Sequence, residues 1–209
     1  MELIRAGQNR FTEVATEGAG DYQFTAMTDH VPDGHPLRQL LASLTERNFT
    51  RIGLTQPDLP QYVAGLLVQF AHVDRLYPIQ DSHGRRLEDV GEMLLESDLR
   101  HRARSLERER TVRKHIGDFT LFFTGMFPEQ IRARRHWWRL DRWLDWIETG
   151  KESYLIAGSF DEGPLAQEAM LYRKLADHFD FMVVGLNFVR DDLARLEQEP
   201  FTAASRIIS

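Results

Sequence analysis

The sequence has no cysteine among its 209 residues. Disulfides, thiolate-bound zinc, iron–sulfur clusters and cysteine nucleophiles are therefore excluded. It also lacks the apolar run of about 20 residues that a membrane-spanning helix needs, and its first residues lack the basic and apolar regions of a secretory signal. We therefore expect a cytoplasmic protein with no membrane span. Because no catalytic or cofactor motif occurs, we expect no cofactor and lean toward a protein that is not an enzyme.

Two stretches, residues 116–127 and 179–189, are the most apolar parts of the chain. Each is nearly apolar all round, which is typical of a helix surrounded by other helices. Residues 59–73 instead carry apolar side chains at the spacing of a single helix face. Since the chain is long enough for one sizeable core, the pattern predicts an all-α fold: a single bundle of about seven or eight helices.

The first 34 residues differ in composition from the rest. Two runs of strand-like residues flank the segment Glu17–Gly20, so we expect residues 1–34 to form an extended or hairpin-like N-terminal arm. Residues 35–198 are predicted to form the helical bundle domain. The pair Glu199-Pro200 then begins a predicted tail, residues 199–209.

Proline and glycine predict where some helices begin and end. Pro128 is expected to begin a helix that ends at Gly150. Residues 87–125 contain no proline and little turn signal, so they form either two helices or one long helix with a solvated middle.

Residues 114–129 read Lys-His-Ile-Gly-Asp-Phe-Thr-Leu-Phe-Phe-Thr-Gly-Met-Phe-Pro-Glu. This segment resembles a group of uncharacterised bacterial helical proteins that share the pattern basic-x-x-Gly-Asp-x-x-Leu-Phe-x-x-Gly-x-Phe-Pro. The run from His178 to Val189 also looks similar, and the resemblance spans residues 60–197. It implies a soluble bacterial protein of one helical domain, with no assigned activity.

His115 and Asp118 are the candidate ligand-binding residues. On a helical wheel His115 falls inside the apolar arc and Asp118 lies at its edge, one turn away. The pair could be an acid–base pair or two metal ligands lining a cavity of the bundle. Alternatively, His115 is a core histidine that has a hydrogen-bond partner, with Asp118 within reach, and holds two helices together, since an unpaired polar group in a core costs about 1–3 kcal/mol.

A second candidate region is the helix after Pro128. Its apolar arc is the expected core face, but two tryptophans and three arginines share the opposite side at intervals of about one turn. This predicted interaction surface consists of Arg135, Trp138, Arg139, Arg142 and Trp146. Tryptophan and arginine are common anchors of protein interfaces. Either a partner or the N-terminal arm is expected to cover them.

Charge is unevenly distributed along the chain, whose formal net charge is −6. Residues 99–142 hold 12 Lys and Arg against 5 Asp and Glu. No groove-reading or phosphate-binding motif accompanies them, so we do not expect nucleic-acid binding. We expect a helical interaction or scaffold protein, a homodimer or the binder of another protein. The alternative is a helical bundle that binds a small molecule or metal near His115 and Asp118. An oxidoreductase would be one such protein.

Overall fold

The computed structural model describes residues 34–98, 105–133 and 142–208. Within these ranges the chain forms nine α-helices and one 3₁₀ turn, and the only β-type pairing there is an isolated bridge between Gln80 and Arg86. The prediction of an all-α fold is confirmed. The predicted arm, apart from Gly34, lies outside the described residues.

The helices are numbered here in chain order. They are α1 Pro36–Arg51, α2 Asp58–Phe70, α3 Val73–Leu76, α4 Val90–Ser97, α5 Leu106–Met126, α6 Pro128–Ala133, α7 Arg142–Ala157, α8 Ala166–Asp177 and α9 Phe179–Ile208. The 3₁₀ turn Gly163–Leu165 precedes α8. Because α3, α4 and α6 have eight residues or fewer, the bundle is built mainly from the six longer helices.

Helix α5 is the centre of the bundle. Every residue from His115 to Met126 is buried, polar ones included. The helix packs most extensively against α7 and also against α9 and α4, while α1 packs on α2 and α9. The prediction that residues 116–127 form a central helix is confirmed, and Leu186 and Val189 of the second apolar stretch are also fully buried.

Side-chain caps explain why the region after residue 87 contains two helices. The carboxylate of Asp89 accepts hydrogen bonds from the backbone N–H groups of Gly91 and Glu92 at the start of α4. The hydroxyl of Ser105 accepts one from the N–H of Arg108 at the start of α5. Such caps satisfy N–H groups that have no partner inside the helix. The two-helix alternative is therefore the one observed.

One predicted boundary is wrong. Helix α7 does not end at Gly150 but continues to Ala157. Gly150 lies in the helix interior, where a β-carbon would overlap the ring of Phe179 and the hydroxyl of Thr120. The glycine therefore serves close packing and does not end the helix. Helix α9 runs through Pro200 to Ile208, so the described residues of the predicted tail are helical.

None of the described helices combines the length and the apolar character that crossing a membrane would require.

Candidate functional site

A buried carboxylate lies at the centre of the bundle. Asp118, on α5, has an exposed fraction of only 1%. Its Oδ1 accepts hydrogen bonds from the hydroxyls of Tyr62 at 2.6 Å and Tyr154 at 2.7 Å. Its Oδ2 forms an ion pair with the Nζ atom of Lys114 at 2.6 Å. We call these four residues the Asp118 cluster.

The Asp118 cluster joins three helices of the bundle. Tyr62 comes from α2 and Tyr154 from α7, whereas Lys114 and Asp118 lie one turn apart on α5. A buried charge is costly unless it is paired and hydrogen-bonded, and here both carboxylate oxygens have partners. The cluster therefore ties α2 and α7 to the central helix.

A glycine makes room for one of the two tyrosines. A β-carbon at Gly117 would lie 2.7 Å from the ring carbons Cδ1 and Cε1 of Tyr154. The ring of Tyr154 thus packs directly on the backbone of α5, with its hydroxyl beside Asp118. The close approach of α5 and α7 depends on the absence of a side chain at Gly117.

Both tyrosines of the cluster are held in their protonated form. Burial, and then the negative charge of Asp118, raise the pKa of Tyr62 and of Tyr154 well above the ordinary value. At neutral pH the two hydroxyls therefore donate hydrogen bonds and do not act as bases. This arrangement is suited to holding the bundle together, and neither phenol is activated for proton abstraction or nucleophilic attack.

His115 is buried, as predicted, but the structure shows no hydrogen bond between it and Asp118. Its exposed fraction is 6%, and its ring lies between those of Phe70 and Phe119, with centroid distances of 5.8 and 6.0 Å. The Nε2 atom has no hydrogen-bond partner. Burial lowers the pKa of His115 to about 4, against a smaller opposite effect of the Asp118 charge. His115 is therefore neutral at physiological pH.

The metal alternative gains no support from this geometry. Among the described residues, no group of three or more histidine, aspartate or glutamate side chains is placed to hold a metal ion. The oxygens of Asp118 are already bound by two hydroxyls and one ammonium group. His115 and Asp118 are thus neighbours on α5 with separate partners.

The predicted interaction surface is only partly described. Arg135, Trp138 and Arg139 lie outside the described residues, as does the side chain of Arg142. The structure places Trp146 against the core: its ring lies 5.9 Å from that of Phe119 and 6.1 Å from that of Phe123, measured between centroids. Trp146 is therefore covered on one side by α5, where the helical wheel predicted a charged outer face.

Trp146 also lines a cleft of about 780 Å³ between α4, α5, α6 and α7. Four aromatic side chains, Tyr77, Phe119, Phe123 and Trp146, contribute to its walls. We call this cavity the aromatic cleft. The sequence patterns did not predict this cleft, because its walls come from five separate segments of the chain and no short motif joins them.

A structured loop before α4 forms the polar rim of the aromatic cleft. The carboxylate of Asp81 accepts hydrogen bonds from the backbone N–H groups of His83 and Arg85, at 2.9 and 3.0 Å. These bonds lower the pKa of Asp81. The N–H of Leu87 also bonds to the carbonyl of Ile79 at 2.9 Å. The loop therefore holds residues 85–89 at the edge of the cleft.

Both arginines of the rim are already engaged by acidic side chains. The guanidinium of Arg85 makes two hydrogen bonds of 3.0 Å to the carboxylate of Glu92 and a third, of 3.2 Å, to Asp81. The guanidinium of Arg86 pairs with Asp74 at 2.7 Å. Such exposed pairs contribute little to stability, but they leave the arginines less available to an anionic ligand.

No family model matches the sequence, and comparisons with curated proteins and with solved structures find no similar chain either. The resemblance of residues 114–129 to a bacterial helical group therefore stays a prediction.

Proposed function

We propose that this protein is a binding protein and that the aromatic cleft is its ligand site. The observation that carries the proposal is the cleft itself. Its volume of about 780 Å³ falls in the range of roughly 300–1,000 Å³ that is usual for small-molecule sites. Aromatic walls combined with a few charged groups at the rim are also typical of such sites.

The Asp118 cluster supports binding over catalysis. Its tyrosines are protonated donors, its carboxylate is saturated with partners, and His115 is enclosed by Phe70 and Phe119. A general base needs both an open path to substrate and a pKa near the working pH. We therefore infer a structural role for the cluster and a non-enzymatic role for the protein.

A fragment screen tests this proposal. Small aromatic compounds would be screened against the full-length protein by ligand-observed NMR. Thr149 lines the cleft, so Thr149→Trp should fill part of it and abolish most hits. Leu155 lies on the same helix with an exposed fraction of 50%. Leu155→Trp adds an equal ring away from the cleft and should keep the hits.

The proposal fails if the wild-type protein yields no hits, or if Thr149→Trp and Leu155→Trp retain the same ones. Thermal unfolding of both variants provides the check on folding. A variant that binds nothing but unfolds like the wild type has lost its site and not its fold.

Self-association is a separate proposal that does not depend on the cleft. It rests on the sequence pattern of Arg135, Trp138, Arg139 and Arg142, with Trp146 at its inner edge. Tryptophan and arginine favour interface positions because they bury a large area and still offer polar contacts.

A further inference from the structure

Among the described residues that line the aromatic cleft, the charged groups do not balance. Two arginines, Arg85 and Arg86, stand against four carboxylates, Glu88, Asp89, Glu92 and Asp145. Each arginine already has an acidic partner, Glu92 for Arg85 and Asp74 for Arg86. The described part of the lining therefore carries an excess of negative charge that its own cations do not neutralise.

The carboxylates differ in what they contact. Glu92 is held by Arg85, and Asp89 accepts two backbone N–H groups at the start of α4. Glu88 and Asp145 are exposed and have no ion pair or hydrogen bond with any described side chain. Among the described residues of the lining, these two carboxylates are thus the ones left to interact with a ligand in the cleft.

The aromatic wall of the cleft also favours a positively charged ligand. The face of an aromatic ring carries negative electrostatic potential, and tryptophan attracts cations most strongly. Trp146 contributes a partly exposed ring to the wall, whereas Phe119, Phe123 and Tyr77 border the cleft with exposed fractions of only 2, 5 and 7%. A ligand that packs on Trp146 and also neutralises Glu88 and Asp145 needs an apolar body and a positive charge.

We propose, on the basis of the proposed function, that the ligand of the aromatic cleft is an organic cation: a small amine or quaternary ammonium compound with an apolar or aromatic body. An organic anion is disfavoured because Arg85 and Arg86 would have to leave their partners to meet it. A neutral compound would leave the excess negative charge of the rim uncompensated.

The test compares three probes that share one phenyl ring. They are benzyltrimethylammonium, benzyl alcohol and benzenesulfonate, titrated into the full-length protein and followed by the indole NMR signals of its tryptophans. The variant Trp146→Phe identifies the signal of Trp146. The cation should bind at least tenfold more tightly than either of the other probes, a factor that corresponds to about 1.4 kcal/mol.

Charge-neutralising variants identify the source of the preference. In the double variant Glu88→Gln, Asp145→Asn, the cation should bind about tenfold more weakly than in the wild-type protein. Benzyl alcohol should bind to both proteins equally. Glu162 is exposed on the far loop before the 3₁₀ turn and does not line the cleft, so Glu162→Gln should change nothing. Raising the salt concentration should weaken binding of the cation alone, since salt screens exposed charges.

The outcomes separate the two proposals. If benzyl alcohol or benzenesulfonate binds at Trp146 as tightly as the cation, the cleft is a ligand site and the inference about charge is wrong. The same holds if the double variant keeps the preference for the cation. If no probe shifts Trp146 and the fragment screen is also empty, the proposed function fails together with this inference.

Discussion

The hydroxyl of Tyr154 donates a 2.7 Å hydrogen bond to the Oδ1 atom of Asp118 in the interior of the bundle. The two residues belong to α7 and α5, the pair of helices with the most extensive contact. The bond therefore joins the two central elements of the fold at a buried charge. A hydrogen bond to a charged group contributes about 1.5–3 kcal/mol, so we expect each partner of Asp118 to have a measurable effect on stability.

Tyr154→Phe should destabilise the protein by about 1.5–3 kcal/mol, because a buried carboxylate loses one donor while the ring still fills its space. Urea unfolding followed by circular dichroism measures the change. Tyr172→Phe is the matched control, since the hydroxyl of Tyr172 bonds to the exposed carboxylate of Glu168 at 3.2 Å. It should cost less than Tyr154→Phe. Equal effects of the two changes would contradict the role assigned to Asp118.

Two glycine-to-alanine changes should have opposite effects on stability. Gly117→Ala forces a β-carbon against the ring of Tyr154 at 2.7 Å, and overpacking of this kind costs about 1–3 kcal/mol. Gly65→Ala in α2 meets no atom within 4 Å and should stabilise the protein by up to about 1 kcal/mol, because alanine favours helix more than glycine does. Melting temperatures give the signs, and a Gly117→Ala protein at least as stable as the wild type would refute the close α5–α7 approach.

Stability should fall as the pH drops from about 6.5 toward 4, because of His115. Its pKa is about 4 in the folded protein against 6.5 for an unperturbed histidine, so the unfolded chain takes up this proton first. The unfolded state then binds more protons, and stability decreases with decreasing pH. Between pH 7 and pH 5 the contribution is about 2 kcal/mol.

Urea unfolding at pH 7 and pH 5 measures this contribution by comparison of variants. His115→Phe replaces the imidazole by another ring beside Phe70 and Phe119, and should remain folded with a smaller loss of stability at pH 5. His83 is exposed in the turn before α4, so His83→Gln should keep the wild-type pH dependence. Identical pH profiles for wild type and His115→Phe would show that His115 is not the titrating group.

The predicted self-association can be tested independently of the cleft. Arg139→Glu combined with Trp138→Ser should convert dimers to monomers in light scattering without unfolding the bundle, because each buried tryptophan contributes about 150–250 Å² to an interface. The matched control is Arg195→Glu with Leu196→Ser, at exposed neighbouring positions of α9, which should leave dimers intact. A wild-type protein that is monomeric at high concentration would exclude this proposal.

Local sequence patterns are sufficient to predict a helix when its buried residues recur at a spacing of a few positions. The apolar stretches 116–127 and 179–189 were predicted as central helices, and their residues Ile116, Phe119 and Leu186 are buried. The helix boundary at Gly150 was wrong for a physical reason: glycine both ends helices and lets helices approach closely. Only the position of Phe179 in space distinguishes the two uses.

The burial of His115 was predictable, but the partners of Asp118 were not. Tyr62 and Tyr154 are separated from Asp118 by 56 and 36 positions in the sequence. A helical wheel compares only residues of one helix, so it offered His115, one turn away, as the nearest partner. The same limit applies to Trp146, whose neighbours Phe119 and Phe123 belong to another helix.

The sequence by itself determined that this chain is helical, that α5 and α9 are central, and that chemistry based on cysteine is excluded. These properties depend on composition and on periodicity within single helices. The tertiary structure alone decided which side chains meet: the Asp118 cluster, the enclosure of His115, and the aromatic cleft, where Glu88 and Asp145 pair with no described side chain. Such contacts depend on how separate helices are oriented, and interhelical packing leaves no periodic signal in the chain.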